Sequence, residues 1–392
     1  MTQQNEIRAW LEARREGIVD IWRELVDTPS HVSRRAEGDV LCRKLAELFA
    51  SLGMEVSVIE SGENNAPTVS ALWGGDLPGA PVLFSGHYDT VDLQGDHPFR
   101  TDEQGHIRGL GCLDMKGGIA VSILVLEALK ALGWQDRPVK FLFVGDEETG
   151  HQGGCAAETI RREAAGCLCA FNMETGLISD KICVGRKGTA FAAVTAHGVA
   201  AHSGNDFSSG RNAIAEIAAK IPRIQALTNL DEGTSVSCNT ISGGTVVNGI
   251  PGECVLRIDS RYLKLAERER VFAALREITD EVAIEGCRST LEVDERMPPF
   301  ETSAGTLRLA DFLSATAVSL GRPPMGQIVL GGGSDAAHIS AAGVPVVCSM
   351  GVRGQFNHTA NEYALPDSLL DRAELLIHTL LNSDELEQAL LK

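Results

Sequence analysis

Short apolar runs alternate with helical segments in the first half of the chain, and this order constrains the fold more than any other feature. The runs over 81–85 and 139–144 have the length and composition of buried strands. Between them, residues 117–132 are rich in Ala, Leu and Val and are expected to form a helix. A strand, a helix and a second strand in this order favour a parallel pairing with helices on the faces. The expected fold class is therefore α/β, with a mixed, largely parallel sheet flanked by helices.

Other segments extend this pattern towards both ends of the chain. Helices are expected over 5–27, 36–53, 305–320 and 366–381. Strands are expected over 55–60, 68–73, 327–330 and 345–349.

The middle of the chain has a different order of elements. The apolar pattern there predicts strands over 189–196, 235–241, 254–262 and 289–293, with helices over 211–227 and 266–285. This β-α-β-β-α-β order resembles a two-layer, ferredoxin-like α+β sandwich. A chain of 392 residues is too long for one ordinary core. We therefore expect an inserted domain over 185–295 that divides the main domain into residues 1–184 and 296–392.

Composition and charge exclude several classes of protein. The formal net charge of -18 argues against a broad nucleic-acid surface, which needs basic residues. No run of 18 apolar residues is present, so no membrane span is expected, and residues 1–19 lack the apolar core of a signal peptide. The ten cysteines form no C-x-x-C pair. A cytoplasmic protein with reduced thiols, without nucleic-acid or membrane partners, is expected.

Side chains that bind metals cluster in five short segments, which follow predicted strands or lie in glycine-rich loops. Catalytic groups lie at strand ends in open α/β sheets, so this placement points to a site. The candidates are His87 and Asp89 in 85–91, Asp114 in 109–118, Glu147 and Glu148 in 143–150, Glu174 in 172–176, and His358 in 356–363.

Each segment taken alone also has a plain structural explanation. His87 can present one ring nitrogen to a metal while Asp89 holds the other, yet a His-x-Asp pair is more often an ordinary turn. Asp114 can bridge two cations, or it can simply cap the following helix. Glu147 and Glu148 can divide metal binding and proton transfer between them, or they can lie in a solvated loop.

Taken together, the segments resemble a known family. The motifs are Gly-His-x-Asp-Thr-Val, Gly-x-Gly-x-x-Asp-Met-Lys-Gly-Gly, Asp-Glu-Glu-x-Gly, Met-Glu-Thr-Gly, His-Ser-Gly at 202–204, Gly-Gly-Gly-Ser-Asp-Ala at 331–336 and the final His358. In this order they resemble the zinc aminoacyl amidohydrolases and metallopeptidases that include glutamate carboxypeptidase, acetylornithine deacetylase and succinyl-diaminopimelate desuccinylase. The resemblance spans about 85–365.

The resemblance implies a catalytic main domain that holds two Zn²⁺ ions per subunit, with Co²⁺ or Mn²⁺ as possible substitutes. One ion would be bound by His87, Asp114 and Glu174, and the other by Asp114, Glu148 and His358. Asp89 would support His87, and Glu147 would be the general base.

The resemblance also assigns roles to the inserted domain. It implies a homodimer in which His202 reaches the active site of the partner subunit and stabilises the oxyanion. Substrate-positioning roles fall to Asn248 and Arg261 in this domain, and to Arg296, Gly333 and Ser334 in the second part of the main domain. Asn248 and Arg261 also have plain alternatives, as a turn residue and a surface ion pair.

One departure from the family pattern bears on the substrate. In glutamate carboxypeptidases an arginine is expected directly before the Pro-x-Phe segment, but here Met297 holds that place and Arg296 comes one residue earlier. Glu174 replaces the aspartate of aminopeptidase-type members. The favoured activity is therefore a metallocarboxypeptidase acting on a short peptide or acyl-amino acid with a free carboxylate. The alternatives are a small-molecule deacylase of the acetylornithine or desuccinylase type, and an inactive binding protein on the same fold.

Overall fold

The structure, a computed structural model, describes residues 3–392 and separates them into two compact units. Unit 1 comprises the described residues of Met1–Gly185 together with Thr302–Val329 and Ser334–Lys392. Unit 2 comprises Arg186–Glu301 and Leu330–Gly333.

Helices and strands follow one another along the whole described chain. The α-helices of residues 3–392 are α1 (Gln3–Asp27), α2 (Arg35–Ser51), α3 (Gly117–Ala131), α4 (Ala156–Ala164), α5 (Ala213–Gln225), α6 (Leu265–Asp280), α7 (Ala304–Ser319), α8 (Ala336–Ala341), α9 (Asp367–Leu381) and α10 (Ser383–Leu391). The strands are β1 (Glu55–Ile59), β2 (Ala66–Trp73), β3 (Val82–His87), β4 (Arg100–Thr101), β5 (Ile107–Arg108), β6 (Val139–Gly145), β7 (Cys169–Asn172), β8 (Gly176–Leu177), β9 (Ile182–Arg186), β10 (Gly188–His197), β11 (Ala201–His202), β12 (Ser235–Gly243), β13 (Gly249–Ile250), β14 (Glu253–Tyr262), β15 (Arg288–Met297), β16 (Gln327–Leu330), β17 (Val346–Val347), β18 (Arg353–Gln355) and β19 (Tyr363–Ala364).

A six-stranded mixed sheet forms the centre of unit 1, in the order β1-β2-β6-β3-β7-β17. Strands β6, β3, β7 and β17 run parallel to their neighbours in this group, while β1 and β2 are antiparallel. The expected mixed α/β fold is therefore confirmed. Since β3 pairs in parallel with both β6 and β7, the carboxyl ends of the three strands meet at one edge of the sheet.

The core of unit 1 explains why α3 is so apolar. Twelve of its residues, from Gly117 to Leu129, are buried, and the helix contacts α1 and α9. Phenylalanines from the sheet and α2 pack edge-on or tilted beside one another, with ring centroids 5.2 to 5.9 Å apart, and these are Phe49, Phe84, Phe141, Phe143 and Phe171. Such packing stabilises the core beyond the burial of the large apolar side chains alone.

Unit 2 is a two-layer α+β arrangement. Its four-stranded antiparallel sheet has the order β12-β14-β10-β15, and α5 and α6 pack against it. Residues from both layers share one apolar core, which includes Val194, Leu256, Ile258, Val271 and Leu275.

Helix α6 ends at Asp280, five residues before the end predicted from the sequence. Two buried side chains of α5 explain this. The Nζ of Lys220 donates to the carbonyl oxygens of Ile278, Thr279 and Glu281, and Glu216 accepts the backbone N–H groups of Ala283 and Ile284. The chain therefore leaves the helix because its free backbone groups find side-chain partners.

Other sequence expectations also need correction. The last strand of unit 2 reaches Met297, beyond the predicted 289–293, because it stays paired with β10 along its length. The strand predicted over 345–349 is only Val346–Val347, and α4 and α10 were not predicted. Ile214 recurs at helical spacing with Ile217, Ile221 and Ile224, which predicts a buried position, but it is 37% exposed. Among the described residues, no helix is long and apolar enough to cross a membrane.

Candidate metal centre and active site

The carboxyl edge of the unit 1 sheet brings the predicted ligand segments together. His87 ends β3, the acidic turn over 146–150 with Glu147 and Glu148 follows β6, and Glu174 comes two residues after β7. Because the three strands are parallel neighbours, residues that are far apart in sequence meet here. This is the arrangement that a site built from strand ends requires.

His87, Asp114 and Glu174 form the first cluster of candidate ligands. The Nε2 atom of His87 lies 3.2 Å from Oδ1 of Asp114 and 3.5 Å from Oε1 of Glu174. All three residues are at most 6% exposed. One donor atom from each lies within 4.8 Å of the other two, so the three could hold one metal ion.

Asp114, Glu148 and His358 form a second cluster by the same criterion. Nε2 of His358 lies 3.1 Å from Oδ2 of Asp114 and 3.2 Å from Oε2 of Glu148. Asp114 therefore turns one carboxylate oxygen to His87 and the other to His358. A carboxylate placed in this way can bridge two cations.

Glu147 belongs to neither cluster, although it is adjacent to Glu148. The backbone N–H groups of Glu147 and Glu148 donate to Oδ1 and Oδ2 of Asp89, at 3.3 and 3.0 Å. Asp89 also lies beside His87, with its Oδ1 atom 3.4 Å from Nδ1. The side-chain carboxylate of Glu147 is thus left available for proton transfer.

The pKa shifts reflect burial and the crowding of negative charge. Burial raises the pKa of Glu147 well above its usual range, and burial also raises the pKa of Glu148 to about 7. For His87, burial opposes protonation, but hydrogen bonds with Asp114, Asp89 and Glu174 raise its pKa well above the usual value. Hydrogen bonds with Asp114 and Glu148 raise the pKa of His358 to about 11. The site thus strongly favours positive charge.

The donor set fits divalent cations. Within residues 3–392, the ion-pair partners of Asp114, Glu148 and Glu174 are histidines only. Buried carboxylates without lysine or arginine partners are costly unless something positive lies between them. Imidazole and carboxylate ligands suit zinc and also accept cobalt or manganese.

Two polar residues that hold Asp114 were not assigned a role from the sequence. Glu362, which is 3% exposed, accepts backbone N–H groups from Gly111, Leu113 and Asp114 at 2.8 to 3.0 Å. The side-chain amide of Asn357 donates to Oδ2 of Asp114 at 2.9 Å. Both residues lie in the segment that contains His358, but nothing in a single sequence separates them from ordinary loop residues.

A glycine explains how α3 can begin beside a metal ligand. A Cβ atom at Gly118 would lie 2.0 Å from the carbonyl oxygen of Met173, the residue before Glu174. Only glycine allows this approach of helix and strand end. The Gly117-Gly118 pair of the motif therefore brings α3 against the loop that carries Glu174.

In unit 2, the structure brings His202 and Asn248 into neighbouring positions. His202 pairs with Gly249 across β11 and β13, and the carbonyl of Asn248 accepts the backbone N–H of Ser203 at 3.0 Å. Nδ1 of the exposed His202 ring accepts backbone N–H groups from Gly204 and Asn205, both at 3.1 Å. In the neutral ring the proton must then be on Nε2, which makes that atom a donor.

The two candidate arginines of unit 2 are already paired. Arg261 donates to both carboxylate oxygens of Asp259, at 2.8 and 2.9 Å, and to Oγ1 of Thr189 at 2.8 Å. Arg296 lies 2.7 Å from Oδ2 of Asp294, and its guanidinium stacks over the ring of Phe191. Each arginine thus has a local role that needs no substrate.

Gly333 and Ser334 lie in different surroundings. The carbonyl oxygen of Gly333 accepts a hydrogen bond from Nη1 of Arg186 at 3.1 Å, within unit 2. Ser334 belongs to unit 1 and is fully buried, with its Oγ atom 3.4 Å from Sγ of Cys348. A hydroxyl in that position faces the protein interior, which does not favour the predicted contact with a substrate.

A comparison with protein families agrees with this site. The model of Peptidase family M20/M25/M40 matches residues 83–382, and the chain belongs to this family. The resemblance drawn from the sequence motifs is thereby confirmed.

The chain is also similar to individual relatives. Carboxypeptidase G2 from Pseudomonas sp. (strain RS-16) is 29% identical over 309 residues, covering 76% of this chain and 74% of that protein. Succinyl-diaminopimelate desuccinylase from Stenotrophomonas maltophilia (strain R551-3) is 28% identical over 355 residues, covering 84% of this chain and 89% of that protein. The aminopeptidase PepT structure from Bacillus cereus ATCC 10987 has a TM-score of 0.79 and 25% identity, covering 96% of this chain and 99% of that one. The chain is a metal-dependent hydrolase.

Proposed function

We propose that this protein is a two-metal hydrolase that cleaves the amide bond of a short peptide or acyl-amino acid next to a free carboxylate. The observation that carries the proposal is the pair of ligand clusters that share Asp114, with Glu147 beside them but in neither. Two sets of metal ligands that share Asp114, together with the unused carboxylate of Glu147, suit the hydrolysis of a carbonyl compound.

In this proposal His87, Asp114 and Glu174 would hold one Zn²⁺, and Asp114, Glu148 and His358 would hold the other. When bound, the cations supply Lewis acidity, which polarises the amide carbonyl and makes water a better nucleophile at neutral pH. Asp89 fixes the ring of His87 and the backbone of the acidic turn, so that the ligands keep their positions.

Glu147 then acts as the general base. Its partly buried carboxylate removes a proton from the attacking water and passes it to the leaving nitrogen. Burial favours the protonated form of Glu147. Once Glu147 has taken the proton from water, this environment helps it to keep the proton until it is delivered to the leaving nitrogen. Glu147 would be ionised before it takes the proton, because bound cations nearby would favour its charged form.

His202 is proposed to donate a hydrogen bond to the developing oxyanion from a neighbouring subunit. Its Nδ1 atom is engaged by two backbone N–H groups, so the exposed Nε2–H is the available donor. The homodimer itself is a proposal that rests on the family resemblance. It agrees with the exposed residues of β12, which could pair with a second copy.

The preference for a substrate with a free carboxylate is supported by the carboxypeptidase relative. Asn248 is proposed as a substrate contact because it lies beside His202 in unit 2. Arg296 and Arg261 would each have to leave an aspartate to bind a carboxylate. Gly333 and Ser334 have no geometric support beyond the resemblance.

A specific relative favours one alternative. Succinyl-diaminopimelate desuccinylase covers more of this chain than the carboxypeptidase does, so a small-molecule deacylase is the second candidate. Both activities use the same metal site and the same base, and they differ only in the group that is recognised.

A substrate panel tests the proposal. The zinc-loaded and cobalt-loaded protein would be assayed for amino-acid release from acyl-glutamates, dipeptides, N-acetylornithine and succinyl-diaminopimelate. Each acyl-glutamate and dipeptide would be matched with its C-terminally amidated form. We expect cleavage of the free acids and little cleavage of the amides. Equal rates on both forms would contradict the proposed specificity, and preferred cleavage of N-acetylornithine or succinyl-diaminopimelate would establish the alternative. Absence of hydrolysis throughout would instead favour an inactive binding protein.

A further inference from the structure

A histidine at the end of the turn that carries Glu147 and Glu148 joins two buried carboxylates. Nδ1 of His151 lies 2.7 Å from Oδ1 of Asp146, and Nε2 lies 2.7 Å from Oδ1 of Asp335. The three residues are 5%, 1% and 2% exposed. None of them was assigned a role from the sequence.

The two contacts define the charge of the ring. An ionised carboxylate can only accept hydrogen bonds, so each ring nitrogen of His151 must carry a proton. Burial opposes this, but Asp335 and Asp146 raise the pKa of His151 well above its usual value. Charge-assisted hydrogen bonds of this kind are strong in a poorly solvated interior.

Further hydrogen bonds of Asp146 and His151 close the turn that carries Glu147 and Glu148. The backbone N–H of His151 donates to the carbonyl of Asp146 at 3.1 Å, and the N–H of Gly150 donates to the carbonyl of Glu147 at 2.7 Å. The amide of Asn65 donates to Oδ2 of Asp146 at 2.8 Å. The start and the end of the turn are thereby tied together, while Asp89 separately accepts the backbone N–H groups of Glu147 and Glu148.

The backbone of His151 is also in an uncommon conformation. Its φ angle of 60° lies in the left-handed region, which non-glycine residues adopt uncommonly, asparagine, aspartate and histidine more often than the others. Such a conformation persists where surrounding contacts hold it. Here it coincides with the ring position that reaches both carboxylates.

We propose that His151 is a positioning residue that clamps the Glu147–Glu148 turn by bridging Asp146 to Asp335. The clamp holds the base and one metal ligand at the carboxyl edge of the sheet. The inference rests on the proposed function, because it assigns His151 to the support of those two glutamates.

A third cation is the competing explanation for this cluster. Donor atoms of His151, Asp335 and His338 lie within 4.8 Å of one another. However, Nη1 of Arg161 lies 3.1 Å from Nδ1 of His338, and its positive charge opposes a cation there. The charges of His151 and Arg161 already balance those of Asp146 and Asp335, so the clamp needs no metal.

Four variants test the clamp in the full-length protein at pH 8 with saturating zinc. His151→Asn removes the ring and keeps a residue that tolerates positive φ. Asp335→Ala removes one end of the bridge, whereas Asp335→Asn can still donate to the neutral ring. His338→Gln is the matched control, since it changes a ring that packs beside His151 but removes neither hydrogen bond of the bridge.

We expect His151→Asn and Asp335→Ala to lower kcat about 10-fold or more, with KM within about twofold of wild type. Asp335→Asn should retain most of the activity, and His338→Gln should resemble wild type. Thermal unfolding of each variant at pH 8 checks that the fold is intact. Wild-type kcat in His151→Asn, a loss confined to KM, or an equal loss in His338→Gln would overturn the clamp, and the last result would point to the third cation.

Zinc binding gives a readout that does not depend on the substrate. Competition with a chelator should show that His151→Asn binds one of two zinc equivalents about 10-fold more weakly, because Glu148 is displaced. If wild type binds two zinc ions but cleaves nothing on the panel, the proposed function fails and this measurement alone decides the clamp. Unchanged affinity for both equivalents would then overturn it.

Discussion

The Oε1 atom of Glu362 accepts a hydrogen bond from the backbone N–H of Asp114 at 2.9 Å. The same carboxylate accepts the N–H groups of Leu113 and Gly111, so one buried side chain shapes the loop before α3. Burial raises the pKa of Glu362 to about 7. Asp114 therefore owes its position to a residue 248 positions away in sequence.

The first prediction concerns Glu362→Gln. An amide presents one oxygen and one N–H₂ group, so at least one backbone N–H of the loop loses its acceptor. We expect a loss of about 1–3 kcal/mol in the free energy of unfolding, together with weaker zinc binding. Urea unfolding and zinc titration measure both effects. Unchanged zinc affinity would show that Glu362 does not position Asp114.

Asp114→Ala should lose both metal ions, because both ligand clusters contain Asp114. Metal content after dialysis, measured by mass spectrometry, tests this. Asp76→Ala is a matched control, since Asp76 is exposed and lies outside both clusters. One full equivalent that stays tightly bound in Asp114→Ala would contradict the bridging role.

His338 makes the stability depend on pH in a defined direction. Burial, together with the charges of His151 and Arg161, lowers its pKa to about 3, whereas histidine in an unfolded chain titrates near 6.5. Below about pH 6.5 the unfolded chain therefore binds a proton that the folded chain does not, so the free energy of unfolding decreases as the pH is lowered from about 7 towards 3.

Between pH 7 and pH 5, this residue should cost wild type about 2 kcal/mol of unfolding free energy, which His338→Gln does not lose. Urea unfolding at pH 7, 6 and 5 compares the two proteins. Parallel pH profiles for wild type and variant would show that His338 is not kept neutral by the fold.

The proposed exchange of His202 between subunits predicts complementation. His202→Ala and Glu147→Gln should each be inactive alone, but an equimolar mixture should recover about a quarter of wild-type activity after subunit exchange. In the mixed dimer, one site has both groups intact. An inactive mixture that contains verified heterodimers would contradict the cross-subunit role.

The sequence predicted the parts of this protein that depend on local patterns. The apolar period of β3, α3 and β6 and the glycine-rich motifs are local features, and the structure places the ligand segments at one sheet edge. By contrast, the end of α6 depends on Lys220 and Glu216, which act on backbone groups about 58 to 68 positions away. Periodicity carries no information on such contacts.

The roles of several polar residues could not be predicted for the same reason, because their partners lie far away in the sequence. His151 and Asp335 lie 184 positions apart, and each resembles an ordinary loop residue until the fold brings them within 2.7 Å. Arg261 was assigned to the substrate from the family resemblance, and Arg296 from its place beside the Pro-x-Phe segment, yet aspartates of unit 2 pair with both. A single sequence shows that a charged residue is present but not which partner it has.

Adjacent glutamates with different roles provide the most direct test of the central claim, which is that Glu147 is the base and Glu148 a metal ligand. Metal content and kcat would be measured for Glu147→Gln and Glu148→Gln on the best substrate of the panel. We predict that Glu147→Gln keeps two metal ions and loses about 10²–10⁴-fold in kcat, while Glu148→Gln binds one ion more weakly. Full metal content with wild-type kcat in Glu147→Gln would contradict the account.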